Sequence, residues 1–347
     1  MNVKITEEFI RELPKTELHC HLDGSLRLNT ILDLAEKNKV ELPSRDPDTL
    51  WKAVTVQSNN ITLPEYIKKF DLTLKVLQTP ESLIRAAFEL AEDCSKENIL
   101  YLEVRYSPIL HTEHGMTTME SVDAVIKGLK QAEEEFKIKT GIIICGIRSI
   151  SPEVSYQLAE LAVAFKNRGV VGFDLAGVEE NFPAKDHKEA FYLILDNNIN
   201  TTLHAGEDYG PESIHQAVHY CGAHRIGHGV RLKEDGDLLN YIADHRIAME
   251  ICMTSNIHTG SVKSYETHPF KFYYDYGLRV TLNTDNRLIS NTCLTKEYML
   301  AHQYFNFQIP DFKEIIINGF KSAFLPHRDR TNMIRQIADE LDTYVSV

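Results

Sequence analysis

Two histidines, His19 and His21, stand two residues apart within ELHCH. On an extended strand such residues point to one side, so both imidazoles can face one metal ion. The pair alone is weak, because fifteen histidines give on the order of one His-x-His by chance. Further groups of matching chemistry follow. His204 sits in LHAGE with Glu207 three residues on, His228 lies in RIGHG and Asp285 in LNTDN. Brought together, these imidazoles and the carboxylate make a nitrogen/oxygen site suited to zinc. A structural zinc draws more often on cysteine and closed coordination. Ligands from separate strands favour a position left open for water.

Other chemistries lack their residues. His215 and His219 have i,i+4 spacing, but no HExxH surrounds them, and they read as one face of a helix. The H-x-E…P-C-x-x-C pattern of cytidine-type deaminases is absent, as is a GxSxG nucleophile elbow. The six cysteines, Cys20, Cys94, Cys145, Cys221, Cys252 and Cys293, form no CxxC pair.

The elements that must position these groups are short β-rich segments between helical stretches. They cover residues 17–21, 101–107, 141–147, 170–177, 201–206, 225–229, 248–256 and 279–286. Most have a near-continuous apolar body, as parallel strands buried on both faces do. Eight such alternations predict a (β/α)8 TIM barrel over residues 1–347 as one domain. An open doubly wound sheet is the alternative, but no GxGxxG or P-loop follows any strand. The polar residues cluster at the carboxyl ends of the segments, where a barrel places its catalysis. Between the first two strands, about residues 29–100 form a helical insertion. In it Leu63, Tyr66, Ile67 and Phe70 make one apolar stripe, which packs on the barrel or covers the site as a lid.

The formal charge is −13, from 37 basic and 50 acidic residues. An acidic chain without basic clusters in its sequence is a poor nucleic-acid or anionic-membrane ligand. No run of eighteen apolar residues spans a membrane, and the first residues lack a secretory apolar region. A cytoplasmic protein with reduced thiols is the expectation.

TELHCHLDGSLR, VRYSP, DLAGVE, LHAGE, RIGHG, LNTDN and SAFLP, in this order from Thr16 to Pro326, resemble the adenosine deaminase family. The resemblance implies one zinc per chain on His19, His21, His204 and Asp285, lowering the pKa of a water toward neutrality. It implies attack at C6 of a purine nucleoside, adenosine or 2′-deoxyadenosine, with release of ammonia and inosine or deoxyinosine. Glu207 would protonate N1, and must be neutral to do so. His228 would orient the nucleophile and stabilise charge near it, and Asp285 would accept a hydrogen bond or proton from the water. The substrate contacts it implies include His21; Gly177 offers its amide to N3 and Asp23 takes the ribose 5′-hydroxyl. Leu63, Tyr66, Ile67 and Phe70 match the family's apolar lid. Asn286 departs from the familiar second aspartate, yet its amide donates to N7 without a proton to manage.

Four alternatives stand beside this expectation. Adenine deaminases tend to carry HIEG where this chain has HLDG, so Asp23 favours a ribose-bearing substrate. Deaminases of AMP or N6-modified AMP want cations for the phosphate; Arg27 is nearby but no cluster surrounds it. A binuclear amidohydrolase needs a bridging lysine on the fourth strand, which VVGFDLAG lacks. A catalytically silent nucleoside-binding relative would have lost Glu207 or a ligand.

Overall fold

The computed structural model describes residues 4–345. Eight strands follow one another in space in the order of the sequence. They are β1 (Lys15–His21), β2 (Ile99–Tyr106), β3 (Lys139–Ile147), β4 (Val170–Ala176), β5 (Asn200–Ala205), β6 (Arg225–His228), β7 (Ala248–Ile251) and β8 (Val280–Leu282). Every neighbouring pair is parallel. The ring closes between β1 and the segment after β8. Cys20 bridges to Asp285, the Asp285 amide donates to the His19 carbonyl, and the His21 amide donates to that of Asp285. Glu17 reinforces this seam by accepting from the Thr284 amide and hydroxyl. The predicted (β/α)8 barrel is therefore the fold.

Two predicted strands end early. β7 stops at Ile251 rather than Asn256, and Met253–His258 is a helix. β8 stops at Leu282, leaving Asp285 and Asn286 on the loop beyond it.

Sequence signals set the helix starts. Thr79 caps Pro80–Ser95, with proline in its first turn, and Thr117 and Glu120 form a capping box at Thr118–Glu135. These two helices pack on each other, Pro80–Ser95 also on β2 and Thr118–Glu135 also on β3, so Pro80–Ser95 serves as the barrel's own outer helix. The insertion proper is thus shorter than predicted. It comprises Leu28–Asn38, Pro47–Val54, Leu63–Ile67 and Phe70–Val76. Val56, Tyr66 and Ile289 pack as a small apolar cluster apart from the main core, with Ile61 and Phe70 against it. Backbone bonds from Val56, Asn60 and Ile61 tie the insertion to the segments that follow β7 and β8.

The barrel interior is unusually charged. TIM-barrel interiors are commonly filled by branched apolar side chains. Here Glu103, Arg105, Asp174, Arg225 and Glu250 are all at most 1% exposed. Arg225 pairs with Glu103 and Glu250, and Arg105 pairs with Glu250 and Asp174. This ionic layer lies directly beneath the histidines.

Candidate active site

The groups picked out by residue type meet at the carboxyl ends of the strands. His19 Nε2 lies 3.0 Å from His204 Nε2, and His21 Nε2 lies 3.1 Å from the same atom. Asp285 Oδ1 is 3.5 Å from His19 Nε2 and 3.4 Å from His21 Nε2. His228 joins the cluster; its ligand atom and those of His19, His204 and Asp285 all lie within 4.8 Å of one another. His21 stands beside this set of four, against His204 and Asp285, and the ring partners distinguish the histidines.

His19 Nδ1 is 2.8 Å from Glu250, and His204 Nδ1 is 3.0 Å from Asp174. Each Nδ1–H donates to its carboxylate, so the Nε2 atoms of the two rings are left facing each other. Burial would raise both carboxyl pKa values. The cationic neighbours outweigh it and hold Asp174 and Glu250 well below the usual range. Two facing ring nitrogens 3.0 Å apart, with the Asp285 carboxylate beside them, call for a cation between them. Zinc bonds of about 2.0–2.1 Å would space tetrahedral ligands about 3.3–3.4 Å apart, close to the separations here. The residues fit the metal.

His228 is set differently. The Phe270 amide donates to His268 Nδ1, so His268 Nε2–H donates to Asn256 Oδ1. That fixes the Asn256 amide, whose Nδ2 donates to His228 Nδ1 at 3.0 Å. Burial holds His268 and His228 neutral by lowering their pKa values, His268 to about 3. The remaining proton of His228 sits on Nε2, which points at Glu207 Oε2 from 3.4 Å. His228 is thus arranged as a donor to whatever occupies the site. Both His228 (φ 63°) and Asp285 (φ 60°) hold left-handed backbone, a strain that non-glycine residues keep where the surroundings over-determine it.

Glu207 is 5% exposed. The Thr259 hydroxyl donates to its Oε1, and Glu179 receives the amides of Gly206, Glu207 and Asp208 at 2.8–2.9 Å. Burial, then the charges of Asp285 and Glu179, push its carboxyl well above the ordinary range. The shift favours its neutral, proton-carrying form.

These groups open onto one cavity of about 390 Å³. His21, Asp23, Gly177, Asn286, Leu63, Tyr66, Ile67 and Phe70 all line it. Asp23 is buried, and burial lifts its pKa to about 7; its Oδ1 has no partner. Gly177 holds φ 102°, which suits glycine and turns the chain into the cavity after β4. A Cβ on Gly24 would meet Asn286 Oδ1 at 1.9 Å, so the glycine of HLDGS seats that amide. Tyr66 is anchored through its hydroxyl to Ser290 Oγ at 2.7 Å.

Several supporting residues escaped the motif reading: Glu250, Asp174 and Arg105 behind the histidines, Ser255 donating to Asp285 Oδ2 at 2.6 Å, and Asn256, His268 and Glu179. The available signal was a charge inside an apolar strand, as in YLEVRYS, VVGFDLAG and AMEI. Carboxylate partners behind metal-binding histidines commonly change metal affinity by about 10–100-fold. Glu250→Gln is therefore expected to weaken zinc binding by about that factor, read by competition with a chelator, with the melting temperature as a folding control. Unchanged zinc affinity would remove Glu250 from this role.

Fold and site define a (β/α)8 barrel with a buried histidine–carboxylate centre and a carboxylic acid facing it at the carboxyl-terminal rim. A family model described as adenosine deaminase matches residues 14–340, and the chain belongs to the adenosine deaminase family. A protein from Clostridium acetobutylicum named adenosine deaminase is 40% identical over 337 residues, 97% of this chain and 100% of that one. A Dictyostelium discoideum protein named probable adenosine deaminase is 40% identical over 335 residues, 96% of this chain; the match spans 43% of that longer relative. Among solved structures, the Arabidopsis N6-mAMP deaminase aligns with a TM-score of 0.86 and 30% identity, covering 96% of this chain and 99% of that one.

Proposed function

We infer that the chain is an enzyme that hydrolytically deaminates adenosine and 2′-deoxyadenosine. The carrying observation is one cavity that joins the histidine–carboxylate cluster, the buried acid Glu207 and the unpartnered Asp23. The names of the relatives at 40% identity support the same reading.

His19, His21, His204 and Asp285 would hold one zinc per chain, which when bound supplies activation of water at neutral pH. Glu207 gives its proton to N1 of the purine and makes C6 electrophilic. The Nε2–H of His228 steadies the oxygen arriving at C6, and Asp285, acidic and fixed by Ser255, takes up a proton there. The Gly177 amide meets N3 and the Asn286 amide meets N7. Asp23 takes the 5′-hydroxyl of the ribose. Leu63, Tyr66, Ile67 and Phe70 form the apolar wall of a lid that keeps bulk water from the base. We propose that barrel and lid act as one catalytic domain. Six unpaired cysteines, five of them buried, support a cytoplasmic setting, and no described helix is long and apolar enough to cross a membrane.

The Arabidopsis relative names a nucleotide substrate, which makes phosphate the main rival feature. The cavity lining contains no lysine or arginine, while Asp23 and Asp71 both line it. A dianionic phosphate would meet carboxylates there, which disfavours AMP and its N6-methyl derivative.

An ultraviolet assay against adenosine, 2′-deoxyadenosine, adenine and AMP tests the reading. Conversion of the two nucleosides is expected; turnover of adenine or AMP alone would overturn it. Asp23→Ala should lower kcat/KM for adenosine by about 10–150-fold, the scale of a hydrogen bond to a charged group. It should leave any residual activity on adenine unchanged; an equal loss on both would remove Asp23 from ribose recognition.

A further inference from the structure

A second cavity, of about 460 Å³, lies at the opposite end of the barrel. Asn200, Arg225 and Ala248, which open β5, β6 and β7, line it together with Arg279, just before β8. Arg246, Lys321 and Arg330 complete a set of five cations, joined by His224 and His245. No aspartate or glutamate is among the lining residues. Arg225 is committed to Glu103 and Glu250. The other four have no carboxylate partner among the described residues, and the Arg330 side chain makes one hydrogen bond, to the Ala323 carbonyl. Acidic residues outnumber basic ones by 50 to 37 in this chain, so a carboxylate-free pocket of cations is not a sample of its average surface.

Burial, together with the neighbouring charges of Arg246 and Arg330, makes Arg279 less basic than usual. The cluster thus repels itself, and a counter-charge in the cavity would relieve the repulsion. Guanidinium groups pair in bidentate fashion with phosphate oxygens. Four unpaired cations exceed what a monoanion neutralises. A cavity of about 460 Å³ admits a small molecule, and the −13 net charge of the chain repels an extended polyanion such as RNA. Tyr241 and His245 stack at 3.9 Å and 19° in the lining and offer a flat face for a base. We propose that this cavity binds a compact, multiply charged phosphate compound of the di- or triphosphate class.

The test is calorimetric titration of the zinc-loaded protein with the magnesium complexes of inorganic tripolyphosphate and of GTP, with zinc content checked afterwards. Saturable binding is expected. Equal affinity for both would mean that the pocket reads phosphate alone, and tighter GTP would add base stacking; either result supports the site. The double variant Arg246→Gln/Lys321→Gln alters two exposed side chains outside the catalytic cavity. It should weaken binding at least about tenfold and flatten its salt dependence, while nucleoside turnover stays unchanged. Asp23→Ala, in the other cavity, should leave phosphate binding intact. Absence of binding at millimolar ligand, equal affinity in the double variant, or loss in Asp23→Ala instead would each overturn the proposal. So would self-association of the wild type that the double variant abolishes, found without phosphate binding, since the cations would then face a second copy.

Discussion

Glu207→Gln is expected to lower kcat on adenosine by about 10²–10⁴-fold, the usual contribution of a positioned general acid. Zinc content and affinity for inosine should change less than about twofold, because the amide preserves the shape of the side chain. It can still accept from the Thr259 hydroxyl, and the Glu179 contacts to the backbone of residues 206–208 do not involve the side chain. What it loses is a proton to transfer. Burial and the charges of Asp285 and Glu179 push the wild-type carboxyl well above its ordinary range, which favours the acid form. Steady-state kinetics with parallel metal analysis decides the matter. Turnover within threefold of wild type would take Glu207 out of proton transfer.

His204→Ala should be more severe. It removes the ring whose Nε2 lies 3.0–3.1 Å from those of both His19 and His21. Loss of turnover by at least about 10³-fold is expected, beyond the 10–100-fold typical of outer partners. The thermal readout separates metal loss from misfolding. A ligand that binds only the folded state at about 1,000 times its Kd stabilises that state by about 4 kcal/mol. Zinc should therefore raise the melting temperature of the stripped wild type and leave that of His204→Ala unmoved. A variant that still gained stability from zinc would place the metal elsewhere.

The barrel was readable because parallel strands buried on both faces print as apolar runs, and each ends near a polar residue. β7 misled because AMEICMTSN carries no glycine or proline to mark its break at Ile251. That break matters, since the helical turn aims Ser255 and Asn256 at Asp285 and His228. The histidines, Asp285 and Glu207 could be chosen by residue type and motif. Their supports could not be paired: Arg105 meets Asp174 and Glu250 across 69 and 145 positions, distances no periodicity encodes. The tautomer of His228 rests on His268 in the same hidden way. The sequence also shows no basic cluster, because Arg246, Arg279, Lys321 and Arg330 are scattered until the strands gather them.

The wall formed by Leu63, Tyr66, Ile67, Phe70 and Leu74 comes from one contiguous stretch, while the metal-facing groups come from β1, β5 and the loop after β8. Tyr66 and Phe70 of that stretch pack in a small cluster with Val56 and Ile289, while Leu72 packs against the main core. It is in effect an exchangeable cassette. Replacing its cavity-facing side chains would reshape the room around a base or an N6-substituent without altering any of the metal-facing groups. Divergence in substrate size among descendants of this scaffold can therefore proceed in about a dozen consecutive codons, under selection separate from that on the metal chemistry.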